Sequence, residues 1–213
     1  MEYNITGYCT IHDQKVVLND TLVYFSEHFT SLNDFLKTLY RREQVNYPKF
    51  YKMDRLSKLG FLTAELLFRN AHTNRYKETE VGLVLSNSSA SLDTDMTHQE
   101  TIKDRTKYFP SPSVFVYTLP NIVIGEICIR YGLKGENLFF VSEQFHSNIL
   151  YNTILEMLEQ KRINACVGGW VEILSNDYHS FLFLVEKKKN RNKEGSRVFS
   201  FQPSNIQSLF DKH

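Results

Sequence analysis

The stretch Tyr117–Glu172, YTLPNIVIGEICIRYGLKGENLFFVSEQFHSNILYNTILEMLEQKRINACVGGWVE, decides the fold of this chain. Its first part has a helical apolar pattern that ends at Gly132, because glycine commonly terminates helices. The short apolar run Asn137–Val141 predicts a buried strand, and Asn148–Gln160 has the apolar spacing of a second helix. A further apolar strand closes on Gly168-Gly169. This alternation of helices and buried strands is typical of an α/β sheet.

An abrupt turn, Val141-Ser142-Glu143-Gln144-Phe145, joins the strand to the second helix. Ser142 is a residue type that caps helices, so we expect it to cap the helix that begins here. Strand-to-helix turns of this kind hold the nucleophile in many α/β enzymes. Gln144 lies where a nucleophile would be useful, but an amide cannot act as one.

Apolar runs elsewhere extend the same pattern. Tyr3–Ile11, Glu80–Ser86 and Phe181–Glu186 place further strands near residues 7, 83 and 183, beside those near 139 and 166. We therefore predict one domain, residues 1–213, with a five-stranded, mostly parallel mixed sheet and helices on both faces. The segment between the last two strands is too short for a crossover helix, so these two are expected to be antiparallel.

Local signals also predict helices outside the central stretch. Ser31 is a plausible N-cap for a short helix that begins near Leu32. Leucines at three- and four-residue steps in Met53–Phe68 predict an amphipathic helix with one face in the core. Two prolines make Lys103–Ser113 extended or irregular. The chain ends with a strand-like VFSF and a helix-like tail over Pro203–Phe210.

Composition limits the function classes. The 213 residues are 42% hydrophobic, which excludes a disordered chain, and 25 Lys+Arg balance 24 Asp+Glu. This balance gives no electrostatic footprint for nucleic acid or an anionic membrane. Three cysteines stand far apart in apolar contexts, so buried reduced thiols are expected, with no metal or cofactor site. Without a signal peptide or a long apolar run, the prediction is a cytoplasmic protein with no membrane partner.

Two polar segments allow more than one interpretation. The small-residue loop Asn87–Ser91 follows a buried strand, where a ligand could bind, but polar turn chemistry explains it equally well. The basic run Lys187–Gly195 is interpreted as a solvated turn rather than a phosphate or nucleic-acid site.

Several motifs occur in a set order along the chain: ITG at Ile5–Gly7, the Asp54-Arg55 pair that opens a helix, VGLVLSNSSAS at Val81–Ser91, Tyr117–Asn121 with Gly125, Ile129 and Gly132–Gly135, and GGWVE at Gly168–Glu172. Together they resemble the N-terminal half of a β-ketoacyl-acyl-carrier-protein synthase, a thiolase-superfamily enzyme. Glu136 replaces the proline that the family has after its glycine turn. The resemblance covers nearly the whole chain and implies a thiolase-like half-fold.

The same resemblance implies that ketosynthase chemistry is absent. Gln144 aligns with the family's acylated cysteine, and a one-residue shift would offer only Glu143, Phe145 or His146. Family synthases are about twice this length, and their second half supplies two catalytic histidines in motifs that this chain lacks. Its seven histidines are scattered: His12, His28, His72, His98, His146, His179 and His213.

Glutamine in place of the cysteine also occurs in the chain-length-factor subunits that pair with an active ketosynthase. The resemblance thus implies a non-catalytic subunit in fatty acid or polyketide-type chain assembly, which includes aryl-polyene pigment synthesis. Expected partners are a second copy or a full-length ketosynthase, and an acyl carrier protein. A half-length chain would also leave an apolar face that needs a cover. Because the family dimerises through the strand before the turn, Phe139, Phe140 and Val141 are interface candidates, although they could simply be core residues.

Two alternatives stay open. The chain could be a small enzyme that binds or hydrolyses an acyl thioester through Ser142, Glu143 or His146. It could also be a structural homodimer without a ligand, which predicts no binding of an acyl carrier.

Overall fold

A computed structural model describes residues 2–27, 31–71, 75–104, 106, 109–188 and 198–212. The strands are β1 (Tyr3–His12), β2 (Lys15–Leu18), β3 (Thr21–Phe25), β4 (Val81–Asn87), β5 (Asn137–Val141), β6 (Ala165–Leu174), β7 (Asp177–Lys187) and β8 (Phe199–Ser200). The helices are α1 (Leu32–Arg42), α2 (Arg55–Asn70), α3 (Leu92–Ile102), α4 (Pro112–Phe115), α5 (Ile122–Tyr131), α6 (Ser147–Glu159) and α7 (Pro203–Asp211), with a 3-10 helix at Pro48–Lys52.

The strands form one mixed sheet in the order β3-β2-β1-β7-β6-β4-β5, and β8 pairs with β1. The five expected strands are present as β1, β4, β5, β6 and β7, so the α/β class is confirmed. The expected strand count and the expected mostly parallel pairing were wrong. Only β5 and β6 pair with β4 in parallel, and the other strand pairs of the described sheet are antiparallel.

The missed strands β2 and β3 belong to a meander that begins at β1. Both of its turns have two residues at positive φ, Asp13 and Gln14 at 46° and 56°, and Asn19 and Asp20 at 49° and 67°. Such turns match the twist of the flanking strands, but they usually contain glycine. Because neither turn contains glycine, the hairpin signal was weak in the sequence.

Strand β6 does not end at Gly168-Gly169, as the apolar run suggested, but continues to Leu174 and pairs with β7. The antiparallel direction of this pair is as predicted. A Cβ at Gly168 would lie 2.5 Å from the Phe183 ring. The glycine is therefore needed for close side-chain packing across the two strands rather than for termination.

Helix ends follow the local signals. The Ser31 hydroxyl accepts the Asp34 amide at 3.2 Å and caps α1, and Asp54 accepts the Ser57 amide at 2.9 Å and caps α2. Gly132 ends α5 with φ of 66°, as expected for a terminating glycine. The proline-rich segment differs from its prediction, since Pro112 starts the one-turn helix α4. Proline is compatible with a first helical turn because the amide it lacks would be unpaired there.

Helices cover both faces of the sheet, as predicted. The core on one face contains the apolar side chains of α1, α2 and α5, and the core on the other contains those of α6 and α7. Among the described residues, no helix is both long and apolar enough to cross a membrane.

Helix α2 is buried on all sides, so the predicted amphipathic helix with a single core face was wrong. Even Lys58 and Glu65 are only 7% and 4% exposed. The inner side of α2 meets the sheet, where Thr63 donates to the Ser180 hydroxyl at 2.8 Å. Other sides pack against α1 and α5, and Tyr47 before the 3-10 helix stacks on Phe61 at 5.3 Å. The chain thus covers this helix with its own residues.

Helix α6 has a mixed outer face. Leu150, Ile154 and Met157 are buried against the sheet, whereas Asn148 and Asn152 are exposed. Ile149 is also exposed, at 39%, so the outer face of this helix is polar with an apolar side chain near its N-terminal end.

Buried charge on α2 is neutralised from α5. The Glu65 carboxylate accepts hydrogen bonds from Arg130 Nε at 3.0 Å and from the Tyr131 hydroxyl at 2.8 Å. Burial alone would raise the pKa of Glu65, but these hydrogen bonds and the charges of Arg130 and Arg69 outweigh it and lower the pKa below its ordinary value of 4.5.

We expect Glu65→Gln to lower the free energy of unfolding by about 2–4 kcal/mol, because it leaves the Arg130 guanidinium without its buried counter-charge. Urea unfolding at neutral pH measures this loss. Glu156→Gln on the exposed face of α6 is the control, with an expected change within about 0.5 kcal/mol.

The pH dependence of stability in wild type and Glu65→Gln provides a second test. Since the pKa of Glu65 is lowered in the folded state, its stabilising effect is complete above the unfolded value of 4.5 and is lost as pH falls through the folded value. The stability difference between wild type and Glu65→Gln must therefore shrink in acid. A difference that stays constant would contradict this role.

Candidate functional site

The turn between β5 and α6 is held by the end of β4. The Ser142 amide donates to the Asn87 carbonyl at 2.9 Å. The Ser142 hydroxyl donates to the Gln144 carbonyl at 2.9 Å, inside the turn. Helix α6 begins at Ser147, with His146 as its N-cap residue. The prediction that Ser142 caps this helix was therefore wrong, because the turn itself uses the hydroxyl.

The chemically active side chains of the turn do not form a catalytic group. Glu143 and Gln144 are exposed, and His146 is half-buried. Among the hydrogen bonds of the described residues, none joins His146 to Ser142 or Glu143. The turn thus offers no nucleophile paired with a base, which acyl transfer through a hydroxyl would need.

Phe145 is the turn residue that points into the protein. Its ring stacks on Phe210 of α7, with centroids 4.0 Å apart and an angle of 15° between the planes. Trp170 and Phe181 meet the Phe145 ring edge to face at 6.0 and 6.1 Å. We call Phe145, Trp170, Phe181 and Phe210 the aromatic cluster. It fills the space beneath the turn and joins the C-terminal helix to it.

The described histidines lie on different elements, with one pair that sequence reasoning missed. His12 and His179 are register partners on β1 and β7, and their rings stack at 4.6 Å. His179 also stacks on Phe210 at 4.6 Å. His98 contacts Phe115 instead. His28, His72 and His213 lie outside the described residues.

The loop after β4 is closed by its own hydrogen bonds. The Asn87 side chain donates to the Ala90 carbonyl at 2.8 Å and accepts the Ala90 amide at 3.0 Å. Glu172 of the GGWVE motif accepts the amides of Ser88 and Ser89 at 2.6 and 3.1 Å. The donors that a ligand could have used are therefore occupied, which favours turn chemistry over ligand binding in this loop.

The three interface candidates lie on β5, an edge strand of the sheet. Phe139 and Phe140 are half-buried and pack on opposite faces of the sheet, each against a different core. Val141 is 55% exposed. Leu138 on the same strand is 38% exposed, although sequence reasoning did not select it. The phenylalanines thus contribute to the core, and the two aliphatic side chains lie open at the edge.

The cysteines lie away from the turn. Cys9 and Cys166 are fully buried, as the sequence predicted, and burial raises the pKa of both thiols. Cys128 is half-buried, and its pKa is also raised by burial. A raised pKa disfavours the reactive thiolate. In the basic run Lys187–Gly195, residues 189–195 lie outside the described residues.

We expect Phe210→Ala to open the aromatic cluster and to lower stability by about 2–4 kcal/mol, because a large ring contact beneath the turn is lost. Trp170 is the single tryptophan of the chain, so its fluorescence emission should shift to longer wavelength. Phe109→Ala is the control, since Phe109 is 80% exposed. An unchanged emission in Phe210→Ala would show that α7 does not cover the turn.

Solved structures with this fold include ketosynthases and chain length factors. The chain aligns with "the ishigamide ketosynthase/chain length factor" at a TM-score of 0.63 and 18% identity, over 91% of its own length and 64% of that chain. It aligns with a type II polyketide synthase acyl-carrier protein and ketosynthase complex, AntDE:AntF, at 0.62 and 13%, over 87% and 62%. No protein-family model and no curated protein sequence matches the chain.

A third structure is closer in length. It is a ketosynthase (ApeO) in complex with its chain length factor (ApeC) from Xenorhabdus doucetiae, and the match covers 100% of this chain and 91% of that one, with a TM-score of 0.57 and 11% identity. The chain thus spans less than two thirds of the first two structures but nearly all of the third. As its motifs indicated, the chain has the thiolase-like fold of ketosynthases and chain length factors.

Proposed function

We propose that this chain is a catalytically inactive, ketosynthase-like subunit that assists a full-length ketosynthase in fatty acid or polyketide-type chain assembly, as a chain length factor or scaffold does. Gln144 carries this proposal, because the motifs of the sequence align it with the cysteine of ketosynthases, and it is exposed at a strand-to-helix turn. Acylation of a ketosynthase needs a thiolate there, and glutamine cannot supply one. Cytoplasmic assembly of aryl-polyene pigments is one pathway that fits.

The compared structures support a partnership of this kind. Two of them combine a ketosynthase with a chain length factor, and one is an acyl-carrier protein in complex with its ketosynthase. An acyl carrier protein is accordingly the second expected partner.

The proposed contact surface is the β5 edge, which we define as Leu138, Phe139, Phe140 and Val141. Strand β5 pairs only with β4 within the described sheet, so its outer backbone groups can pair with another strand. The exposed Leu138 and Val141 side chains would add apolar burial to that pairing. A ketosynthase that presents its own edge strand satisfies both requirements.

We expect co-expression with a full-length ketosynthase to yield a complex by size-exclusion chromatography, and Val141→Lys to weaken it at least about tenfold, because a charge enters an apolar edge. Leu22→Lys on the opposite edge strand, β3, is the matched control, since Leu22 is also exposed, at 56%. Gln144→Ala should leave assembly unchanged.

Three other outcomes would contradict the proposal. The absence of a complex with any candidate ketosynthase or carrier protein would count against it. A self-associated species that Val141→Lys dissociates would indicate a structural homodimer. Turnover of acyl or malonyl thioesters that is lost in His146→Ala would indicate an independent enzyme.

A further inference from the structure

A cavity of about 280 Å³ opens at the N-terminal end of α2. Its lining combines side chains from α1, the 3-10 helix, α2, α3 and the α4 region. The charged groups that matter are Lys52, Asp54, Arg55, Lys58 and Asp93. This cavity is separate from the strand-to-helix turn and has no part in the proposed function.

The acidic groups of the cavity are already used within the protein. Asp93 accepts hydrogen bonds from Arg55, with Nε at 2.9 Å from Oδ2, and from the Ser175 amide at 3.1 Å. Asp54 accepts the Ser57 amide at 2.9 Å and the Thr94 hydroxyl at 2.7 Å. Arg55 and Asp93 therefore neutralise each other, and Asp54 serves as a helix cap.

The two lysines of the cavity have no carboxylate that binds them directly. Lys58 is only 7% exposed, and its one hydrogen bond among the described residues is to the Asn33 amide oxygen at 3.3 Å. Its ammonium also lies 5.9 Å from the Phe50 ring centre. Lys52 is exposed at the rim and forms no ion pair within the described part of the chain.

A buried ammonium with unused donors is costly unless a counter-charge completes it. Burial, and then the charge of Lys37, lowers the pKa of Lys58, although Asp54 acts in the opposite direction. Apolar lining from Met53 and Val114 stands beside these cations. The cavity therefore combines a deep cation, a second cation at its mouth and a small apolar wall.

We propose that this cavity binds a small organic anion through its carboxylate or phosphate group, with Lys58 as the inner contact and Lys52 at the entrance. The oxyanion accepts hydrogen bonds from the Lys58 ammonium, and the carbon part of the ligand packs on Met53 and Val114. Arg55 keeps its pairing with Asp93 and holds the wall of the cavity.

The site is tested by titrating the full ¹⁵N-labelled chain with sulfate and with acetate. Binding is monitored by the chemical shifts of the backbone amides. We expect saturable shifts at Asn33 and residues 52–58. Stronger binding of sulfate would indicate a phosphate-type ligand, and stronger binding of acetate a carboxylate. Lys58→Met should weaken the preferred anion at least about tenfold, because a charged hydrogen bond is lost.

Lys134→Ala is the matched control, since Lys134 is a surface lysine paired with Glu78. The affinity of this variant for the anion should stay within about twofold of the wild-type affinity. Lys58→Met removes a buried charge, so its melting temperature should equal or exceed that of wild type. If Lys58→Met does not fold, the amide shifts of the wild-type protein alone test the proposal. Shifts that do not saturate at millimolar anion, shifts absent from residues 52–58, or undiminished binding by folded Lys58→Met would overturn the proposal.

Discussion

Burial of β4 between two parallel neighbours is the constraint on which the rest of the structure depends. All seven residues of β4 are buried, and β5 and β6 pair with it on either side. A strand without an exposed face must be covered from both sides, and the two helical layers follow from that requirement. Its last residue, Asn87, then holds both the adjoining loop and the strand-to-helix turn. The candidate site is therefore a consequence of where β4 ends.

Elements of this chain enclose both of its hydrophobic cores. Helix α2 is enclosed by α1, α5 and the sheet, and its buried Glu65 is neutralised by Arg130 and accepts a hydrogen bond from the Tyr131 hydroxyl. The outer face of helix α6 exposes Asn148 and Asn152 together with Ile149. The sheet edge at β5, with Leu138 and Val141 exposed, is a place where another strand can add.

The turn between β5 and α6 exposes an amide side chain rather than a nucleophile. Gln144 is exposed, and the residue beneath it, Phe145, belongs to the aromatic cluster with Phe210 of α7. Aromatic stacking fills and stiffens the region under the turn. A stiff turn of this kind presents its exposed side chains in a fixed arrangement.

Sequence signals within a few residues of each other were sufficient to predict much of the fold. The cap at Ser31, the terminating Gly132, the five core strands and the strand-to-helix turn after Val141 could be predicted from the sequence, because each depends on local propensity or on the spacing of apolar residues. The tertiary structure alone decided the antiparallel pairing of β1 with β7, the all-round burial of α2, the His12 and His179 stack, the pairing of Glu172 with Ser88, and the cavity around Lys58. Each of these joins residues far apart in the chain, and such contacts leave no periodic trace in the sequence.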